Sequence, residues 1–154
     1  METKLMRTDS DNPDFLRLIR LLDEGLRENY GELQKQFDRH NGLEHIHHVA
    51  VLYLDGQAAG CGAFKLRDDG SAELKRIYVD KPFRGQGLSK RIVGELERWA
   101  AEEGITRAVL ETGLLQQAAI GLYHAMGYRD IENFPPYVGN PNSLCMGKDL
   151  VPAE

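Results

Sequence analysis

The chain has 154 residues, 42% hydrophobic and 28% charged, with a formal net charge of −5, which suits one domain with its own core over 1–154. The acidic balance gives no global attraction to nucleic acid or to an anionic membrane, so neither partner is expected. No apolar run reaches the length of a membrane span and METKLMRTDSDN lacks a signal-peptide core, so a cytoplasmic location is expected.

KLMRT suits a first short strand. SDNPD then carries helix-start chemistry: Ser10, Asp11 or Asn12 can cap, and Pro13 suits the first helical position. Phe15, Leu18, Ile19, Leu22 and Leu26 follow at helical spacing and make one apolar face. Gly31 interrupts the pattern, and ELQKQFDRHN reads as a second short helix carrying Leu33 and Phe37. His45, His47 and His48 come next, without acidic or cysteine partners at a ligand spacing. They read as a polar strand entry, and no metal is expected.

HHVAVLYLDGQAAGCGAFKL is a β-hairpin about Asp55-Gly56, the strongest short-range turn signal. A turn at Asp68-Asp69 leads into a third strand, AELKRIYVD. A glycine-rich turn follows, then a helix whose buried face is Leu88, Ile92, Val93, Leu96, Trp99 and Ala100, with Gly104 as its stop. RAVLET is a strand, and QAAIGLYHAM is a helix ended by Gly127. YRDI and SLCMGKDL are final strands, bridged by ENFPPYVGNPN. Cys61 and Cys145 form no CxxC pair and read as packing residues in a reducing compartment. The order predicts a mixed α/β domain, its sheet mostly antiparallel and flanked by helices.

The turn VDKPFRGQGLSKRIV combines exposed backbone N–H groups with the positive end of a helix dipole, which makes an anion site. Arg84, Lys90 and Arg91 add charge, and a diphosphate is a reasonable guest. The spacing fails the P-loop, because Gly87 is followed by Leu88-Ser89-Lys90. It fails the dinucleotide fingerprint as well, because Lys90 stands where the third glycine belongs. A nucleotide- or NAD-binding domain is therefore disfavoured.

Arg84, Gly85, Gln86, Gly87 and Leu88 resemble the pyrophosphate loop of the GNAT N-acetyltransferase superfamily, [Q/R]-x-x-G-x-[G/A], with Ser89 where Gly or Ala is usual. Downstream, Ala119, Leu122, Tyr123, Gly127 and Tyr128 resemble the superfamily's A-x-x-L-Y-x-x-x-G-[F/Y] pattern, with Gln116 where Asn is common. The resemblance covers roughly residues 46 to 150, with both motifs in family-like order.

It implies the GNAT acyl-CoA N-acyltransferase fold, acetyl-CoA as cosubstrate without a metal, and direct transfer of the acetyl group to a primary amine in a ternary complex. The cofactor would meet Ile77, Tyr78 and Val79 on a splayed strand, the loop from Arg84 through Gly85, Gln86, Gly87, Leu88, Ser89 and Lys90, and Gln116. Glu73 stands in the register where several members carry a base; otherwise it is a solvated strand residue paired with Lys75 or Arg76. Tyr123 matches the usual general acid, the other reading being core packing. Tyr30, Phe37 and Tyr137 are candidates for the wall of the amine pocket, and Glu32 and Asp38 would attract a cationic amine. The acceptor is a small-molecule or protein amine. The resemblance also implies a homodimer through the last strands, where the apolar SLCM run fits an edge. The alternative is a non-catalytic acyl-CoA sensor or interaction module on the same fold.

Overall fold

A computed structural model describes residues 2–30 and 46–152. Strand β1 (Thr3–Thr8) leads to helix α1 (Pro13–Tyr30). Of the three candidate caps it is Asn12 that starts this helix: its Oδ1 accepts from the N–H groups of Asp14 (2.9 Å) and Phe15 (3.0 Å). The sequence's second short helix falls in 31–45, outside the described residues. Strands β2 (Ile46–Leu54), β3 (Gln57–Leu66) and β4 (Ala72–Val79) form the expected meander, with Asp55 and Gly56 both at positive φ in the first turn. Helix α2 (Leu88–Glu102), strand β5 (Arg107–Gly113), helix α3 (Gln117–Ala125) and strands β6 (Arg129–Ile131) and β7 (Ser143–Asp149) complete the chain.

The seven strands lie in the order β1-β2-β3-β4-β5-β7-β6, and every neighbouring pair is antiparallel except β4–β5. Side chains alternate across such a sheet, so β2 feeds two cores. Val49 and Val51 pack with Phe15, Leu18 and Ile19 of α1, while Ala50, Leu52 and Leu54 pack with Ile92, Val93 and Leu96 of α2. The sheet is thus buried on both faces, which explains why β2 and β3 read as nearly continuous apolar runs.

One difference from the sequence reading matters. SLCM is not an edge: β7 pairs with β5 along its length and with β6 over Cys145–Gly147, and Cys145 and Met146 are fully buried. That burial accounts for its apolar character within one subunit. Of the histidines, His47 is exposed, and His48 stacks on Phe64 (4.2 Å between centroids) with its Nε2 2.9 Å from Glu103. His45 lies outside the described residues. Among the described residues no helix is long and apolar enough to cross a membrane.

Candidate active site

The site begins where the sheet's one parallel pair stops. Strand β4 pairs with β5 only through Ala72↔Ala108, Glu73↔Val109 and Leu74↔Leu110, whereas β5 continues along β7 as far as Gly113↔Ser143. From Lys75 onward the edge of β4 that faces β5 has no ladder partner there. A break in the β3–β4 register between Cys61 and Ala63 adds to this, and Arg76 there takes φ 60°, a strained value for a side-chain-bearing residue. An unpaired strand edge offers N–H and C=O groups to an amide-bearing ligand.

The far end of β4 runs into the glycine turn. Asp80 caps a single 3₁₀ turn, Lys81–Phe83, by accepting from the Lys81 N–H. Arg84 folds back, its Nε donating to the Val79 carbonyl at 2.8 Å and its guanidinium 5.5 Å from the Tyr78 ring. Gly85 and Gly87 follow at φ 83° and 75°, left-handed values that glycine adopts without a Cβ penalty. Gly87 precedes α2 and supplies no side-chain cap, so the first N–H groups of a 15-residue helix are left for a ligand.

Opposite stands α3. Gly127, at φ 96°, ends it in a Schellman arrangement: Gly127 N–H donates to the His124 carbonyl (3.1 Å), and Tyr128 N–H to the Tyr123 carbonyl (2.9 Å). That geometry brings the Tyr128 ring edge-on to Tyr123, 5.8 Å between centroids, and the Tyr128 hydroxyl bonds Glu97 at 2.7 Å. The spacing of the second sequence motif is therefore a helix-ending device that fixes Tyr123. Burial alone pushes the Tyr123 hydroxyl well above its ordinary value, and it has no hydrogen-bond partner among the described residues.

Together these elements line a cleft of about 610 Å³, within the range of small-molecule sites. Its walls include Ile77, Tyr78, Val79, Arg84, Gly85, Gly87, Leu88, Ser89, Lys90, Gln116 and Tyr123, all expected from the sequence. Lys81, Phe83, Ala118, Ala119 and Leu122 join them, and Leu22 and Gly25 of α1 reach it from across the sheet. Three cations, Lys81, Arg84 and Lys90, thus line the cleft together with the turn that opens α2. Gln86 is an exception among the expected residues: it is exposed outside the cleft lining, its Nε2 bonded to the Phe83 carbonyl. Gln116 directly precedes α3 and turns no side-chain cap onto it.

Glu73 and Tyr137 come together elsewhere, in a buried polar cluster just before β4 and β5 part. Glu73 is 5% exposed, so it is not the solvated strand residue of the second sequence reading. It is paired with Lys75, Nζ to Oε2 at 3.2 Å, while Arg67 lies 3.4 Å from Oε1. Arg76 instead pairs with Asp23 at 2.6 Å. The Tyr137 hydroxyl is 3.4 Å from Lys75 Nζ, and Tyr137 is 1% exposed, so its ring presents no open wall. Glu111 accepts from the Ser143 hydroxyl at 2.6 Å, and burial pushes its carboxyl up. Burial pushes Lys75 down against the pull of Glu73. Phe134 lies under the Arg67 guanidinium at 4.2 Å.

The sequence reading missed Arg67, Glu111 and Ser143 as site residues. Period-two spacing put Lys75 on the Glu73 face, but no local signal brings Arg67, Glu111 or Ser143 there. The side chain of Tyr30 and all of Phe37, Glu32 and Asp38 lie outside the description. Among the described residues no group of three or more His, Cys, Asp or Glu is placed to hold a metal ion.

A splayed parallel pair, a glycine turn opening a helix and a buried tyrosine across the cleft make up the GNAT acyl-CoA N-acyltransferase fold. Residues 13–128 match the family described as Acetyltransferase (GNAT) family, and the chain belongs to it. Over 101 residues it is 36% identical to the IAA acetyltransferase of Azospirillum brasilense, covering 65% of this chain and 66% of that protein. It is 40% identical over 84 residues to N-acetyltransferase 8 of Rattus norvegicus, covering 51% of this chain and 38% of the relative. The chain spans less than two-thirds of the length of each of these relatives. A solved structure from Klebsiella pneumoniae, assigned to the acyl-CoA N-acyltransferases, superposes with a TM-score of 0.81 at 31% identity, covering 97% and 98% of the two chains.

Proposed function

We propose that this enzyme transfers acetyl from acetyl-CoA to a primary amine by direct attack, with Tyr123 as general acid and Glu73 as general base. The observation that carries this reading is the Tyr123 hydroxyl, buried in the cleft with no hydrogen-bonded partner among the described residues and held protonated by its surroundings. A phenol so placed has a proton to give at any ordinary pH.

The diphosphate would rest on the N–H groups that open α2, beside Lys81 and Lys90, and the amides of the pantetheine arm on the unpaired edge of Ile77–Val79. A neutral amine attacks the thioester carbon; a C–N bond forms and the carbonyl electron pair moves to oxygen, where a strand N–H receives it. The nitrogen, now cationic, loses its proton toward Glu73 through water, since Glu73 lies outside the cleft lining. The carbonyl re-forms, the C–S bond breaks, and the thiolate takes the Tyr123 proton. Glu73 returns its proton to solvent and Tyr123 regains one, so the cycle closes. Holding both substrates together contributes several kcal/mol of the rate, on the order of 7–11 in the best-oriented cases.

Leu22 and Gly25 of α1 bound the cleft on the side where the amine would enter. The acceptor is a small-molecule or protein amine. Two measurements test the reading. Acetyl-CoA at a hundredfold excess over its Kd adds ~2.7 kcal/mol of stability, a melting shift of roughly 5–10 °C, with ADP and NAD as controls. Free thiol release is then followed across a panel of primary amines, amino acids and peptides. A missing melting shift overturns the assignment of the cleft, and a shift without transfer to any amine favours an acyl-CoA sensor.

A further inference from the structure

The Glu73 carboxylate is unusual for a proton acceptor. It is 5% exposed, faces a second carboxyl, Glu111, across the β4–β5 seam, and yet has a cation against each of its oxygens. Left alone, a carboxyl buried next to another takes up a proton and can no longer accept one. Nor does packing explain the arrangement, because buried ion pairs stabilise little more than apolar residues of the same volume. The two cations also come from separate places and are themselves held. Arg67 follows β3, braced by the Phe134 ring at 4.2 Å and the Pro135 carbonyl at 3.5 Å, while Lys75 is on β4, 3.4 Å from the Tyr137 hydroxyl.

We propose that Arg67 and Lys75 are positioning residues that keep the buried Glu73 carboxylate ionised and fix its orientation, so that it is ready to take the acceptor's proton. This rests on the reading of Glu73 as the base. The groups facing Glu73 are Lys75 on its own strand, Lys65 and Arg67 from β3 and its end, Glu111 from β5, Cys145 from β7, and Tyr137 from the loop between β6 and β7. Glu111 works against ionisation of Glu73. The thiol of Cys145 and the hydroxyl of Tyr137 are both pushed up and stay neutral, so Arg67, Lys75 and the cross-strand Lys65 carry the opposing charge, and among the described residues only Arg67 and Lys75 contact the carboxylate. The division of labour assigns one cation to each oxygen, which fixes direction as well as charge.

The test uses the full chain labelled with δ-¹³C glutamate, the Glu73 signal being assigned by its loss in Glu73→Gln. Its midpoint is followed by NMR from acid to neutral pH in the wild type and in Lys75→Met, Lys75→Arg, Arg67→Met and Arg67→Lys. The expected result is a rise of about one unit or more in each methionine variant and recovery toward the wild-type midpoint in Lys75→Arg and Arg67→Lys. The acid limb of kcat/KM, measured with an amine that the wild type accepts in the panel, moves with it. The melting shift with acetyl-CoA shows in each variant that the fold and cleft are intact. An unmoved midpoint in both methionine variants overturns the capping role. Wild-type turnover by Glu73→Gln overturns the base reading instead, and with it the purpose of the caps.

Discussion

The cleft and the buried cluster are both built on β4, yet by opposite means. The cleft is made largely of backbone: a strand edge that has lost its neighbour, two left-handed glycines and the free end of α2. The cluster is made of side chains gathered around Glu73 from the end of β3, from β4, β5 and β7, and from the loop between β6 and β7. Backbone devices tolerate most changes in side chains around them, because their donors are part of every residue. A side-chain cluster fails when any member is removed, because each charge is desolvated and depends on the others.

Substitutions should sharpen that contrast. The largest effect is expected at the proposed general acid in the cleft: Tyr123→Phe should lower kcat by about 10²-fold or more while the melting shift with acetyl-CoA persists. Equal turnover in that variant would remove Tyr123 from the mechanism. In the cluster, Glu73→Ala leaves the buried Lys75 and the partly exposed Arg67 without their counter-charge and should cost on the order of 3 kcal/mol of stability, read as a denaturant midpoint. Glu73→Gln, which keeps shape and hydrogen bonding, should cost less. If the two lose stability equally, charge is not what holds the cluster.

The turn should be gentler. An added Cβ at Gly87 meets nothing within 4 Å, so Gly87→Ala carries only the left-handed backbone penalty, about 1 kcal/mol. It should weaken acetyl-CoA severalfold at unchanged kcat, and a loss in kcat instead would mean that the turn does more than hold the diphosphate. The smallest effect is a pH slope that belongs to neither region alone. Burial pushes the Cys61 thiol up to about 12 and the Cys145 thiol up to about 11, from an ordinary 9.0. Above pH 9 the unfolded chain loses these protons while the folded chain keeps them, so stability present below pH 9 declines as pH rises through 11–12. Melting temperature against pH should flatten between 9 and 11 in Cys61→Ala; an unchanged slope would assign the decline to other groups.

The backbone region is also the one the sequence discloses. Arg84 to Leu88 and the Ala119-to-Tyr128 pattern are local, since each spans about one turn or one helix and its end, so the residues that build the geometry are also neighbours in the chain. Even there the side chains were not legible: Arg84 is bound back to the Val79 carbonyl, and Gln86 lies outside the cleft lining. Glu73 and Lys75 share a strand face, which period-two spacing predicts. Arg67, Glu111, Ser143 and Tyr137 join them only because β3, β5, β7 and the loop before β7 converge, across separations of up to 70 residues between Glu73 and Ser143.

By itself, then, the sequence determined the class of the fold, the position of the glycine turn and the tyrosine opposite it, because hydrophobic period, glycine placement and helix ends are local properties of a chain. The tertiary structure decided where β4 leaves β5, that SLCM is interior, and that Glu73 is enclosed between two cations. Those outcomes depend on which distant segments share a face of the sheet, and burial, which no short stretch encodes, sets the charge each group carries there.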